Sequence, residues 1–102
     1  MASRELLQYE LEEVLGSDNV YFQPPENVKI QYPCIVYEYE TPDVMYANNN
    51  AYFFIQNYKV TYITREPDND MTERLLRSFK RIRPENSYVA DTLYHYPFNL
   101  YY

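Results

Sequence analysis

The chain has 102 residues, with fifteen Asp and Glu against nine Lys and Arg, giving a formal charge of -6 and a pI near 4.6. A chain of that size is expected to form one domain (1-102) that buries roughly 65% of the surface it exposes when unfolded, and its acidity opposes sequence-independent binding to nucleic acid or an anionic membrane, so proteins are the expected partners. The single glycine, Gly16, excludes the glycine-rich loops that cradle phosphates, and one Cys with one His excludes a zinc site within one chain or an internal disulfide.

No apolar run approaches the ~20 residues of a membrane span, and the amino terminus lacks the apolar stretch of a secretory signal. A soluble protein made in a reducing cytoplasm, without membrane contact, is expected. Fourteen Tyr and five Phe bring the aromatic content to 19% without a Trp. Tyrosine joins an apolar ring to a hydrogen-bonding tip, which suits surfaces that become half-buried in an assembly.

The spacing of Leu7, Leu11, Val14 and Leu15 predicts a helix from Arg4 to Leu15, with Ser3 as its cap and Gly16 as its stop. Its other face carries Glu5, Glu10, Glu12 and Glu13. After a short extended stretch at Val20-Tyr21-Phe22-Gln23, the pair Pro24-Pro25 marks a fixed connection. Pro33 then introduces a strand from Cys34 to Glu40.

Thr41 to Asn50 reads as a long loop, polar except for Val44, Met45 and Tyr46 and ending in Asn48-Asn49-Asn50. Either it docks on a neighbouring subunit or a tube protein, ordering only on assembly, or it is an ordinary mobile hairpin loop. Ala51 to Arg65 follows as one strand, with Tyr58, Val60, Tyr62 and Thr64 on one face. Asp70 and Glu73 announce a second helix from Met71 to about Ile82, striped by Met71, Leu75, Phe79 and Ile82.

Arg74, Arg77, Lys80, Arg81 and Arg83 concentrate five of the nine cations there. In the tail, Ser87 to Ala90, an Asp91-Thr92 turn and Leu93 to Tyr102 predict a hairpin whose second strand alternates Tyr94, Tyr96, Phe98 and Leu100 against His95, Asn99 and Tyr101. Pro97 would place that strand at an edge or a bulge. The expected fold is an α+β two-layer sandwich, with both helices on one face of an antiparallel sheet in the order α-β-β-α-β-β.

Residues 19–30 (NVYFQPPENVKI) and 32–37 (YPCIVY) resemble a family of tail-completion proteins, the tail terminators of long-tailed bacteriophages and prophages. The resemblance continues through Tyr46-Ala47-Asn48, Tyr58-Lys59-Val60-Thr61 and Pro67-Asp68, and it ends at residues 91–102 (DTLYHYPFNLYY), so it spans the chain. One departure is Asp91-Thr92, where the family carries an Asp-Asn pair. The resemblance implies a structural virion protein of the tail and neck, without cofactor or catalysis. Such a protein forms a homohexameric ring that caps the tail tube and offers a head-completion or stopper protein its joining surface, while DNA passes through the lumen unbound. A head-completion or stopper role is the alternative within that class.

The charge division fits a ring. Residues 1–58 hold nine acids and two bases, and residues 59–102 hold six and seven. One subunit's Glu5, Glu10, Glu12 and Glu13 can meet its neighbour's Arg74, Arg77, Lys80, Arg81 and Arg83; equally, both faces are solvated or pair within one chain. A single-stranded nucleic-acid binder would instead stack bases on the tail strand's aromatic rings, although core packing accounts for the same alternation. Nothing in the sequence joins Cys34 to His95 as a catalytic pair.

Overall fold

The computed structural model describes residues 4–40, 43–47, 50–67 and 70–102. The elements run α1 (Arg4–Leu15), β1 (Val20–Phe22), β2 (Cys34–Tyr39), β3 (Asp43–Ala47), β4 (Asn50–Ile55), β5 (Asn57–Thr64), α2 (Asp70–Ser78), β6 (Ile82–Pro84), β7 (Tyr88–Ala90) and β8 (Leu93–Tyr101). Six strands form one sheet in the order β1-β2-β5-β8-β6, with β7 also on β8, while among the described residues β3 and β4 form a separate two-stranded sheet. The fold is α+β, and its sheet is mixed, not purely antiparallel, because β1 runs parallel to β2.

Residues 23–33 form the crossover that brings β2 beside β1 in the same direction, and it includes a turn closed by the Val28 N–H on the Pro25 carbonyl at 3.1 Å. The Tyr32-Pro33 peptide bond at the end of the crossover is cis. Gln23 fastens the start of the crossover, its N–H donating to the Tyr37 carbonyl at 2.9 Å and its side-chain oxygen accepting from the Tyr39 N–H at 3.1 Å.

Register stacks the apolar residues in rows across the sheet. Val20, Ile35, Tyr62 and Tyr96 form one row; Phe22, Tyr37, Val60 and Phe98 the next; Tyr39, Tyr58, Leu100 and Ile82 the third. The helices cover this face, sinking Leu7, Leu11, Met71 and Leu75 into one cluster with Tyr37, Val60, Phe98 and Leu100. Each fully buried leucine stabilises the helix's docking by about 1.5–3 kcal/mol. Arg4 lies by Phe22 and Gln8 by Val20, whereas α2 leads from the Thr64–Tyr94 rung to the Ile82–Leu100 rung, so the helices run in opposite directions.

Several sequence expectations need correction. The stretch Ala51 to Arg65 is two strands interrupted at Gln56, and the loop from Thr41 to Asn50 contains β3 and the start of β4. The second helix ends at Ser78, because Ile82 and Arg83 enter β6 opposite Leu100 and Asn99. Ser3, the expected cap, lies outside the described residues.

Pro97 sits in β8, inside the sheet and not at its edge. Its carbonyl accepts from the Glu85 N–H at 2.9 Å, so its missing donor faces the interval between β6, which pairs residues 98–100, and β7, which pairs residues 93–95. The Asp91-Thr92 turn forms as expected, with φ of 52° and 63°, which matches the twist of a two-residue hairpin. Gly16, at φ 83°, ends α1, its N–H donating to the Glu12 carbonyl at 2.8 Å.

Candidate assembly interface

The acidic set does not act as a unit. Glu10 accepts the hydroxyl of Tyr102, and Glu12 accepts the Gln8 amide at 2.8 Å, so both are engaged within the chain. Glu5 and Glu13 stand exposed. The outward strip of α1 also carries Leu6, 49% exposed, and Tyr9, 55% exposed. Tyr9 bonds Glu13 one turn on, which raises its hydroxyl's pKa and keeps the ring on the helix surface.

Helical spacing alone could have found this strip. The pattern that buries Leu7 and Leu11 leaves Leu6 and Tyr9 on the wrong side for a solvated helix, and that was the overlooked signal. By contrast α2 is cleanly amphipathic: Met71 and Leu75 are buried, while Glu73, Arg74 and Arg77 are exposed. Arg77 reaches Glu73 at 4.0 Å, a solvent-exposed pair of little energetic weight.

Beyond Ser78 the cations leave the helix. Lys80, Arg81 and Arg83, with Ile82 and Tyr101, line a cleft of about 420 Å³ where α2 turns into β6. Beside it, Glu10, Phe79, Lys80, Arg81 and Tyr102 surround a second hollow, so the structure brings one predicted acid next to two predicted bases inside one chain. Arg74 and Arg77 remain on the helix, and Arg83 lies opposite Asn99 in the sheet.

The docking residues are also redistributed. Val44, Met45 and Tyr46 belong to β3, opposite Phe54, Phe53 and Ala51 of β4; Asn48 and Asn49 lie outside the described residues. The register shifts between Met45 and Tyr46. The root of this hairpin is tied down: the Gln56 amide donates to the carbonyls of Glu40 at 3.2 Å and Asn57 at 2.9 Å, and the Tyr102 N–H donates to the Gln56 carbonyl at 3.2 Å.

The chemistry of the single Cys and His is quiet. Cys34 is fully buried and burial pushes its thiol up to about 12, which suppresses the thiolate a nucleophile requires. Ile63 separates Cys34 from His95 in their shared row, so the two are two strand spacings apart, roughly 9–10 Å. His95 stacks on Tyr88 with ring centroids 4.7 Å apart, and its Nδ1 lies 3.0 Å from the Leu93 carbonyl oxygen. Phe98 and Tyr96, two rings of the proposed base platform, face the helices: Phe98 is 1% exposed and Tyr96 packs against the core.

Among the described residues no group of His, Cys, Asp and Glu is placed to hold a metal ion, and no helix is long and apolar enough to cross a membrane. No protein-family model matches the chain, and no curated protein matches it.

Proposed function

We propose that this chain is a tail terminator, the subunit of a homo-oligomeric ring that caps a phage tail tube and presents a joining surface to a head-completion protein. The observation that carries this reading is the β3–β4 hairpin. Among the described residues it is a two-stranded unit paired within itself and separate from the six-stranded sheet. Its register pairs apolar residues, Val44 with Phe54 and Met45 with Phe53.

A lone two-stranded hairpin is marginally stable in water, so this one is completed by contacts from outside it. The docking role assigned to the sequence loop therefore passes to a β-arm that reaches a neighbouring subunit or the tube protein. The resemblance along the whole chain supplies the rest of the reading: six copies, a lumen through which DNA passes without specific binding, and a place in the virion neck.

The test is the solution mass of the purified chain, alone and with tail-tube protein. A hexamer-sized species, or a monomer that becomes a ring only with tube protein, is expected. Deleting residues 44–49 is expected to abolish assembly while leaving the far-ultraviolet circular dichroism of the sheet intact. A monomer indifferent to tube protein overturns the reading and favours a head-completion role or, if DNA retains it in a salt-dependent manner, nucleic-acid binding.

A further inference from the structure

We infer that the outward strip of α1, Glu5, Leu6, Tyr9 and Glu13, docks into the basic cleft of a second copy, the cleft lined by Lys80, Arg81, Arg83 and Tyr101. This deepens the self-assembly reading and rests on it; what it adds is the identity of the contact.

Three observations converge. First, Leu6 and Tyr9 are about half exposed on a helix whose Leu7 and Leu11 are buried and whose Val14 and Leu15 are half-buried, so the two form an apolar ridge on its outward side. Second, the ridge is flanked by two exposed carboxylates, Glu5 and Glu13, the latter already accepting the Tyr9 hydroxyl. Third, residues 74–83 carry five cations and no acid in a chain of net charge -6, and three of those cations rim a cleft with an aromatic wall.

A second copy is the occupant because the acidic ridge and the basic cleft are complementary and belong to one sequence. The anchor residue is Tyr9. Large aromatic side chains dominate binding energy when they fill a pocket on the partner, and a tyrosine ring among Arg and Lys side chains gains cation–π attraction as it is desolvated. The flanking carboxylates steer the approach and fix its orientation more than they add affinity. A ridge meeting a cleft is a heterologous contact, the kind that propagates around a closed ring.

The test is sedimentation velocity of the full chain at low and high salt, alone and with tail-tube protein. Tyr9→Gln is expected to weaken self-association about tenfold. The double reversals Glu5→Lys with Glu13→Lys, and Lys80→Glu with Arg81→Glu, are each expected to abolish it, and an equimolar mixture of the two reversed proteins is expected to restore it. All four positions in the reversals are exposed, and circular dichroism of each variant verifies the fold.

Self-association of either reversed protein at wild-type strength overturns the contact while leaving the ring reading in place, as does a mixture that fails to recover. Reversals that spare self-association but lose tube-protein binding assign the ridge to the tube protein and overturn the contact too. A wild-type chain that stays monomeric with tube protein present overturns both readings.

Discussion

Replacing Tyr37 by Phe removes one oxygen from the centre of the fold. The Tyr37 side chain is fully buried; its hydroxyl donates to Gln8 Oε1 at 2.5 Å and accepts from Arg4 Nη1 at 3.2 Å. Gln8 in turn donates to Glu12 Oε2 at 2.8 Å and the Val20 carbonyl at 3.0 Å, so this hydroxyl links α1 to both β1 and β2. In Tyr37→Phe the ring keeps its packing against Phe22 and Tyr58.

The loss is one neutral hydrogen bond plus the desolvation of a part-buried amide oxygen, about 1–2 kcal/mol in all. The half-exposed Arg4 guanidinium adds little, because solvent can replace the lost acceptor. In a domain of this size that corresponds to a fall in Tm of about 5–15 °C. Urea denaturation followed by circular dichroism measures it, and a double-mutant cycle with Gln8→Met is expected to give a coupling of about 0.5–1.5 kcal/mol. A loss below about 0.3 kcal/mol, or an additive cycle, refutes the linking role, leaving the helix to dock through its leucines alone.

Alkaline pH is a second probe. Burial pushes both the Cys34 thiol and the Tyr58 hydroxyl up to about 12, whereas in the unfolded chain they ionise near their ordinary values of 9.0 and 10.0. The folded state holds the extra protons, so stability is full below about pH 8.5 and falls as pH rises, by up to about 1.4 kcal/mol per pH unit for each group. Denaturation midpoints at pH 8, 9.5 and 10.5 are expected to decline, with Cys34→Ala flattening the first part of the decline; a level profile refutes the burial argument. In the turn, Thr92 holds φ 63°, a costly region for a β-branched residue. Thr92→Gly is expected to stabilise the chain by about 0.5–1 kcal/mol in thermal denaturation, and destabilisation would show that the Thr92 hydroxyl bond to the Asp91 carbonyl at 2.5 Å outweighs the backbone strain.

The legible parts of the fold were those written in local pattern. Leu7, Leu11 and Gly16 define α1 to the residue because periodicity and a left-handed stop are both local signals. Asp91-Thr92 and the alternation after it define the last hairpin for the same reason. Non-local competition hid the rest. Ile82 continues the stripe of α2 in sequence, yet pairing with Leu100 takes it into the sheet.

Asn48-Asn49-Asn50 and Pro42 made residues 41–50 read as a loop, because β3 acquires its partner only from residues that looked like the start of another strand. The parallel β1 has no local signature, since a three-residue strand is specified by the neighbour it finds. At the candidate interface, charge was legible and grouping was not. The cations of residues 74–83 were visible, but the helix end at Ser78 divides them between two surfaces.

The tie at Gln56 has a mechanical consequence. The β3–β4 hairpin is continuous with β2 and β5, the middle strands of the sheet, and its root is clamped by Glu40, Asn57 and the backbone of Tyr102. A pull on the hairpin along the strand direction therefore loads the β1–β2 and β5–β8 ladders lengthwise. Their hydrogen bonds resist together in shear, not in turn as they would in an unzipping strand. Force applied to the arm is spread over the eight rungs of β5 on β8 before any one of them breaks.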